Sequence, residues 1–309
     1  MSRTPGRYRN RPKEAHVSDL APRARSMDGA AVSRRLLDET ARRARRYAEE
    51  FGRRPCLAAV LIGKDPASVT YVTMKRNRCE QAGVDFRLDV LPTAVSTSEA
   101  TATVRGLSED STVDGILVQH PVPPQVDERM VFEAIAPRKD VDGVTMHSFA
   151  SMAFGLPGFV SCTPGGILRL LDAYDVGLAG AHAVVIGRSP ILGKPVGMLL
   201  LGRDATVTYC HSHTQGLSAM VRTADVVVAA VGRPRFVQGD WIKRGAVVID
   251  AGYNDGSVGD VDFDGALARA SLVTPVPGGV GPMTIAVLLH QTVVAAEGPV
   301  GEALEGSTE

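Results

Sequence analysis

The clearest indication of the fold is the segment AHAVVIGRSPILGKPVGMLLL, residues 181–201. Its apolar run 181–187 predicts a buried β-strand, and the residues from about Lys194 to Leu201 predict an α-helix. The turn between them contains glycine and leads into the helix, so its backbone N–H groups can bind a phosphate. Because Ser189 stands where GxGxxG has its second glycine, the turn alone is also compatible with an ordinary strand-to-helix connection.

Strands and helices alternate on both sides of this turn. Helical patterns separate most of the further predicted strands, which are CLAAVLIG (56–63), DFRLDVLP (85–92), VDGILVQHPVP (113–123), ATVTYCHS (205–212), DVVVAAVG (225–232) and AVVIDAGYN (246–254). This alternation is typical of parallel sheets covered by helices on both faces. The predicted fold class is therefore α/β, with an N-terminal parallel-sheet catalytic domain, a C-terminal Rossmann-type nucleotide-binding domain and a cleft between them.

Length and composition limit the classes of partner. The chain has 309 residues, 34 of them basic and 34 acidic, and its pI is near 7.1, which favours a small-molecule substrate over nucleic acid or a membrane surface. The four cysteines lie far apart and lack the spacing of a metal site, so we expect reduced thiols in a cytoplasmic protein. No apolar run reaches the roughly 18 to 20 residues that span a bilayer.

The domain boundaries follow from shifts in composition and periodicity. Residues 1–26 are rich in Arg and Pro and predict a disordered tail; a transit peptide or nucleic-acid arm is the alternative, disfavoured by the acidic residues and by the short length. The catalytic domain is predicted at 27–148 and the nucleotide-binding domain at 149–283. An apolar helix at 284–297 is predicted to pack back on the catalytic domain, and 298–309 to form a frayed tail.

Three predicted strand ends supply the candidate coenzyme site. Its residues are Gly187, Arg188, Ser189 and Gly193 after the first strand, Ser212 and His213 after the second, and Val231 and Gly232 after the third. Enzymes that use NAD typically carry an acidic residue after the second strand. Hydroxyl and imidazole groups stand there instead, so repulsion against a 2′-phosphate is absent and NADP is favoured. His211 and His213 bring no third ligand with them, and no metal site is predicted.

The first half of the chain contains a candidate reactive lysine. Tyr71 and Lys75 are four residues apart on a predicted helix and share a face, although a lysine with that spacing alone is more typical of a solvated surface. Gln119 ends a predicted buried strand, and Asp142 belongs to the segment KDVDG, 139–143. Both are expected at the carboxyl edge of a parallel sheet, where ligands of open α/β sheets bind.

Eight segments together resemble the bifunctional methylenetetrahydrofolate dehydrogenase/methenyltetrahydrofolate cyclohydrolase family. In the order of that family, they are ASVTYVTMKRNRCEQAGV, VDGILVQHPVP, KDVDG, CTPGGILRLL, VVIGRSPILGKP, TVTYCHSHT, VVVAAVGRPRFVQGDWIKRGAVVIDAGYN and VTPVPGGVGPMT. The resemblance extends from about Met27 to Ala296. It implies the two-domain fold, a homodimer formed mainly through the nucleotide domains, and NADP as coenzyme.

The resemblance also implies roles for individual residues. Lys75 matches the catalytic lysine, Tyr71 a tyrosine that stacks near the folate, Gln119 the glutamine that contacts the lysine, and Asp142 the carboxylate that holds the pterin. Gly278, Gly279 and Pro282 match the loop that lines the folate cleft, and Arg188, Ser189 and Ser212 match residues around the coenzyme phosphates.

The implied function is oxidation of 5,10-methylenetetrahydrofolate by hydride transfer to NADP. The methenyl product is then hydrolysed to 10-formyltetrahydrofolate, with Lys75 handling protons in this second step of one-carbon metabolism. One alternative is a monofunctional dehydrogenase that uses NAD or NADP; another is a non-catalytic nucleotide-binding module. His213 replaces a Lys or Arg that is common in the family, and a neutral imidazole binds a phosphate less well, which predicts a weaker preference for NADP over NAD. His120, beside Gln119, either perturbs Lys75 or is a tolerated substitution.

Overall fold

The computed structural model describes residues 24–298, which form two domains, each built on a parallel sheet. The predicted tails at 1–26 and 298–309 consist largely of residues 1–23 and 299–309, which lie outside the described residues. In the described part, all strand pairs within the two sheets are parallel. The predicted two-domain α/β class is confirmed.

The first sheet has three strands in the order β3-β2-β4. They are β2 (Cys56–Ile62), β3 (Asp85–Leu91) and β4 (Gly115–Gln119). The helices of this part are α1 (Gly29–Phe51), α2 (Pro66–Ala82), α3 (Thr97–Glu109), α4 (Glu128–Phe132) and α5 (Met146–Phe154). Strands β2 and β4 are almost entirely buried, as expected for a sheet covered on both faces.

The second sheet has six strands in the order β1-β9-β8-β7-β5-β6. They are β1 (Arg25–Ser26), β5 (His182–Ile186), β6 (Thr206–Cys210), β7 (Val226–Ala229), β8 (Val247–Asp250) and β9 (Leu272–Val273). Its helices are α6 (Cys162–Ala173), α7 (Gly193–Leu201), α8 (Leu217–Val221) and α9 (Phe263–Leu267).

Strand β1 corrects the predicted boundary at residue 26. The N–H of Arg25 donates to Ser271 O at 2.8 Å, and that of Met27 donates to Val273 O at 2.8 Å. The residues just before α1 therefore belong to the edge of the second sheet rather than to a disordered tail. A strand held by backbone hydrogen bonds needs no apolar periodicity, so the composition of this segment did not predict β1.

The C-terminal helix α10 (Val280–Glu297) begins four residues before the predicted start at 284. Pro282 lies in its first turn, where a missing N–H costs no intrahelical hydrogen bond. The helix packs into the core of the first domain, where Leu288 and Leu289 join Leu36 and Leu57. Among the described helices, it is the one that is long and apolar enough to cross a membrane by length and composition; 67% of it is buried, which is the burial expected of a core helix.

Two contacts bring the domains together at the carboxyl ends of their strands. Ile191, in the turn between β5 and α7, packs against the apolar core of the first domain that contains Ile62 and Val118. Thr163 on α6 and Thr284 on α10 have hydroxyl oxygens 3.0 Å apart. The turn after β5 thus lies beside the catalytic domain, as the predicted cleft requires.

Candidate functional site

Lys75 and Gln119 are in direct contact. The Lys75 ammonium on α2 donates to Gln119 Oε1, at the end of β4, at 2.8 Å. Gln119 Nε2 donates in turn to the backbone oxygen of His120 at 2.8 Å, which fixes the carbonyl end of the amide toward the lysine. The imidazole of His120 packs edge-on against Phe132, with the ring centroids 6.3 Å apart.

The surroundings of Lys75 weaken its hold on the proton. Burial lowers the pKa of this lysine from its usual value, because the charged form is poorly solvated, and the nearby Asp142 carboxylate opposes the change. The thiols of Cys162 and Cys79 lie close enough to act in the same direction as Asp142. A lysine whose pKa is lowered offers more free amine near neutral pH, as a general base must.

A buried carboxylate holds the loop that carries Asp142. Asp140 is fully buried and accepts hydrogen bonds from Val144 N at 3.0 Å, Thr145 N at 2.9 Å, Thr145 Oγ1 at 2.7 Å and Ser148 Oγ at 2.6 Å. Burial raises the pKa of Asp140, and these four donors oppose that rise. The first acid of KDVDG is therefore structural, whereas the second, Asp142, is only half-buried.

The side chain of Gln291 supports the loop that carries Asp142. Its Nε2 donates to Val141 O at 2.7 Å and to Val160 O at 3.0 Å, which ties α10 to the KDVDG loop. Cys162 N donates to Asp142 O at 3.3 Å. Burial, followed by the negative charge of Asp142, raises the pKa of the Cys162 thiol, so Cys162 stays protonated beside the lysine site.

Tyr71 lies one helical turn before Lys75 and meets the other domain. Its ring forms an edge-to-face contact with Tyr253, with centroids 6.2 Å apart, and the two side chains are 37% and 60% exposed. Tyr253 follows β8, so the contact crosses the cleft. Tyr253 was not among the sequence-derived candidates, although its position just after a strand end is a signal that could have found it.

The glycine loop before α10 is packed tightly against α1. Ala30 N donates to Gly278 O at 3.0 Å, and a Cβ on Gly29 would clash with the backbone of Gly279. Gly278 has a φ of 102°, which only glycine adopts without strain. Pro282 follows in the first turn of α10. Of the three predicted substrate-loop residues, Gly278 and Gly279 are therefore held by the start of α1.

The turn after β5 has the shape of a phosphate cradle. Ser189 Oγ accepts hydrogen bonds from Leu192 N and Gly193 N, both at 3.2 Å, and so closes the turn onto α7. A Cβ on Gly193 would come within 2.5 Å of Gly187 O, and one on Gly187, where φ is 131°, would clash with Ala230 O. Glycine at both positions therefore lets the backbone of the turn pack this closely in front of α7, and a turn at a helix N-terminus is a place where a pyrophosphate can bind.

The rim of this cradle carries exposed cationic and polar side chains. Arg188, Ser189 and Lys194 are exposed at the turn, and Ser212 and His213 are exposed after β6. His213 N donates to His211 Nδ1 at 3.2 Å, so that ring nitrogen acts as an acceptor. This set of donors and cations fits the phosphates of a dinucleotide. Within residues 24–298, no group of three His, Cys, Asp or Glu residues could hold a metal ion.

Two buried acids that were not predicted lie behind the third strand end. Asp260 accepts the backbone N–H groups of Val231, Gly232 and Arg233 at 2.6, 2.9 and 2.8 Å. Asp250, at the end of β8, accepts those of Asp260 and Val261, both at 2.9 Å. Val231 and Gly232 are candidates from the sequence, whereas the carboxylates that bind their N–H groups are not among the candidates; the segment Gly-Asp-Val-Asp, 259–262, was the available signal.

Two parallel-sheet domains, a half-buried lysine at their cleft and a phosphate cradle in the second domain define a Rossmann-type nucleotide-binding enzyme. Residues 27–142 match the family model described as the tetrahydrofolate dehydrogenase/cyclohydrolase catalytic domain, and residues 161–299 match that of the NAD(P)-binding domain. The chain belongs to the tetrahydrofolate dehydrogenase/cyclohydrolase family, as its sequence segments predicted.

Similar proteins agree with this assignment over nearly the whole chain. Bifunctional protein FolD 1 of Streptomyces avermitilis is 68% identical over 278 residues, which cover 90% of this chain and 97% of the relative. The bifunctional enzyme FolD of Campylobacter jejuni has a solved structure with a TM-score of 0.87 and 39% identity, covering 89% of this chain and 99% of that one. FolD of Trypanosoma brucei, solved with NADP and an inhibitor, has a TM-score of 0.86 and 37% identity, covering 90% and 98%.

Proposed function

We propose that this chain oxidises 5,10-methylenetetrahydrofolate with NADP and then hydrolyses the methenyl product to 10-formyltetrahydrofolate. The observation that carries the second activity is the 2.8 Å hydrogen bond between Lys75 and Gln119, in a setting that lowers the pKa of the lysine. The bifunctional relatives and the NADP complex of the Trypanosoma brucei enzyme support the pairing of both activities with NADP.

Hydride transfer across the cleft is mainly a matter of position. When bound, the oxidised nicotinamide accepts the hydride. The chain contributes the turn at Gly187 and Gly193 to hold the phosphates, Val231 and Gly232 to pass close to the nicotinamide ribose, and the Gly278–Gly279 loop to line the folate cleft. Tyr71 stacks near the folate and Asp142 holds the pterin. None of these roles requires an acid or a base.

Hydrolysis of the methenyl cation requires proton transfer, and Lys75 is placed to provide it. Its free amine accepts a proton from the attacking water as the C–O bond forms at the methenyl carbon. The resulting ammonium returns this proton to N5 when the C–N5 bond breaks and the ring opens. The hydroxyl oxygen then gives its remaining proton to the freed amine, which releases it to solvent, as the C=O bond of the formyl group forms. Gln119 Oε1 holds the amine in position throughout, and the adjacent cationic substrate lowers the pKa of the lysine further.

The choice between NADP and NAD is tested by measuring the affinity and the reaction rate with each coenzyme. Each charge-assisted hydrogen bond from the rim to a 2′-phosphate contributes about 1.5–3 kcal/mol, so NADP should bind at least about tenfold more tightly than NAD. Isothermal titration, with rates followed at the reduced-coenzyme and methenyl absorptions, measures this. The Arg188→Ala variant should lose this advantage for NADP while keeping its affinity for NAD, and Arg203→Ala, an exposed arginine paired with Asp172, serves as the control. Tighter binding of NAD by the wild-type protein would overturn the choice of NADP.

A homodimer through the nucleotide domain is the proposed assembly. Strand β6 is an edge strand of the six-stranded sheet, and Leu201, Tyr209 and Met220, which are on or beside it, are exposed by 63%, 39% and 37%. An apolar patch at a sheet edge fits a second copy of the chain. We place the dimer in the cytoplasm, where the four cysteines, free in the described residues, remain reduced.

The Leu201→Asp variant tests the dimer. A carboxylate buried at the interface costs more than 1.4 kcal/mol, so the dimer dissociation constant should rise at least about tenfold. Sedimentation velocity of both proteins over a concentration series measures this change. Phe154→Asp, which alters a 78% exposed residue on α5, should leave the assembly intact. Dimers of unchanged affinity in Leu201→Asp would show that this edge is not the interface.

A further inference from the structure

Asp260 binds three consecutive backbone N–H groups of one short turn and the side-chain amide of Asn254. Oδ2 accepts the N–H groups of Val231 and Gly232, and Oδ1 accepts that of Arg233 and the Nδ2 of Asn254 at 3.0 Å. The residue is fully buried. A carboxylate is an acceptor only, so four donors satisfy its oxygens without leaving room for a fifth partner.

Asp250 holds Asp260 in place. Its oxygens accept the N–H groups of Asp260 and Val261 at 2.9 Å each and that of Gly252 at 3.0 Å. The two carboxylates fit together because glycines stand between them: a Cβ on Gly259 would clash with Asp250, and one on Gly252 would clash with Asp260. Burial raises the pKa of Asp250 to about 6, and the charge of Asp260 adds to that rise.

The hydrogen bonds to Asp260 determine how the turn after β7 is oriented toward the turn after β5, the proposed phosphate site. In a trans peptide, the C=O of one residue points opposite to the N–H of the next. Since the N–H of Val231 points at Asp260, the carbonyl of Ala230 points away from it, and that oxygen lies against the Cα of Gly187, where a Cβ would clash. Asp260 therefore couples two of the three strand ends that form the coenzyme site.

We propose that Asp260, braced by Asp250, is a positioning residue for the dinucleotide: it orients the Val231–Gly232 turn so that its carbonyl oxygens face the nicotinamide half. The role rests on the proposed coenzyme site. Asp260 does not touch the coenzyme or the folate, and it acts through the three backbone amides that it binds.

The Asp260→Asn variant tests this role with a change of one group. Whichever way the new amide is placed, its NH₂ faces N–H donors, either those of Val231 and Gly232 or those of Arg233 and Asn254, so the turn must move. The dissociation constant for NADPH, measured by its fluorescence on binding, should rise at least tenfold. The rate of hydride transfer should fall, whereas hydrolysis of supplied methenyltetrahydrofolate without coenzyme should stay within twofold of wild type. A general structural role would reduce both activities together.

Asp262→Asn is the matched control. Asp262 lies two residues further on and caps α9 by accepting Gly265 N, and asparagine caps helices equally well. Its affinity for NADPH should equal that of wild type. If Asp260→Asn does not fold, Asn254→Ala, which removes one donor to Asp260, should raise the dissociation constant about threefold and leave hydrolysis unchanged.

The outcomes separate this role from the coenzyme site on which it rests. Wild-type binding of NADPH with unchanged affinity in Asp260→Asn, or in Asn254→Ala where the former does not fold, overturns the positioning role alone. Equal loss of hydride transfer and hydrolysis in the folded variant also overturns it. A wild-type protein that binds neither NADPH nor NADH overturns the proposed coenzyme site and this role with it.

Discussion

In the Lys75→Met protein, hydrolysis of methenyltetrahydrofolate is expected to fall by about 10³-fold, while a measurable rate of hydride transfer remains. A positioned general base contributes about 10²–10⁴-fold to a reaction that requires proton transfer, and methionine keeps the length of the side chain but cannot accept a proton. Hydride transfer requires orientation rather than a base, so it should be affected less. Separate assays, with supplied methenyltetrahydrofolate and with methylenetetrahydrofolate plus NADP, measure the two rates.

The pH dependence sharpens this test. Because burial lowers the pKa of Lys75, the free amine forms below the pH at which an ordinary lysine loses its proton. Hydrolysis should therefore rise with pH through that lowered pKa, and this rising limb should be absent in Lys75→Met. Arg78→Met, which removes an exposed cation of α2 that binds Gln81, should keep both activities and the rising limb. Equal loss of both activities in Lys75→Met would refute the division of labour.

The expected loss of hydrolysis in Lys75→Met should not come from misfolding, and the free energy of unfolding of this variant checks this. Because folding lowers the pKa of this lysine, its charged form makes the folded protein less stable. The free energy of unfolding is highest above the unfolded-state pKa, where the lysine is neutral in both states, and it decreases as the pH falls through the folded-state pKa. At neutral pH, replacing Lys75 by methionine removes this cost. The loss of the hydrogen bond to the buried Gln119 opposes this gain, so the free energy of unfolding of Lys75→Met, measured in urea, should stay close to that of the wild type.

The alternation of strands and helices was sufficient to predict the two-domain α/β fold. Apolar runs such as 181–187 and 56–63 became β5 and β2 because a strand buried on both faces must be apolar throughout. The two-residue strand β1 was missed because it is held by backbone hydrogen bonds and its side chains are exposed. The early start of α10 was missed because glycine and proline at 281–282 resemble a loop.

In the candidate site too, local patterns could be predicted from the sequence, whereas contacts between distant residues could not. Helical spacing placed Tyr71 and Lys75 on one face, but the contact between Lys75 and Gln119 joins residues 44 apart in sequence, so only the resemblance to a family suggested it. The buried acids Asp140 and Asp260 bind backbone N–H groups of neighbouring loops. Such partners are determined by the tertiary fold and leave no periodic pattern, whereas an acidic side chain in a sequence is ordinarily solvated.

Gly193→Ala is expected to remove coenzyme binding and leave hydrolysis almost intact. The new Cβ would lie 2.5 Å from Gly187 O, 2.6 Å from Gly187 C and 2.8 Å from Arg188 N, all backbone atoms that cannot rotate away. The turn must open, at a cost of about 2 kcal/mol in stability, and it loses the closed shape of the proposed phosphate site, so affinity for NADP should fall about 100-fold.

Titration calorimetry with NADP, together with hydrolysis of supplied methenyltetrahydrofolate without coenzyme, separates the two effects of Gly193→Ala, because the lysine site lies on the other sheet. Gly202→Ala is the matched control at the far end of α7: its φ is −64°, and its Cβ would meet only two carbonyl oxygens at 3.6 Å. Normal coenzyme affinity in Gly193→Ala would mean that the phosphates bind elsewhere, since a turn this crowded cannot accept a methyl group and keep its shape.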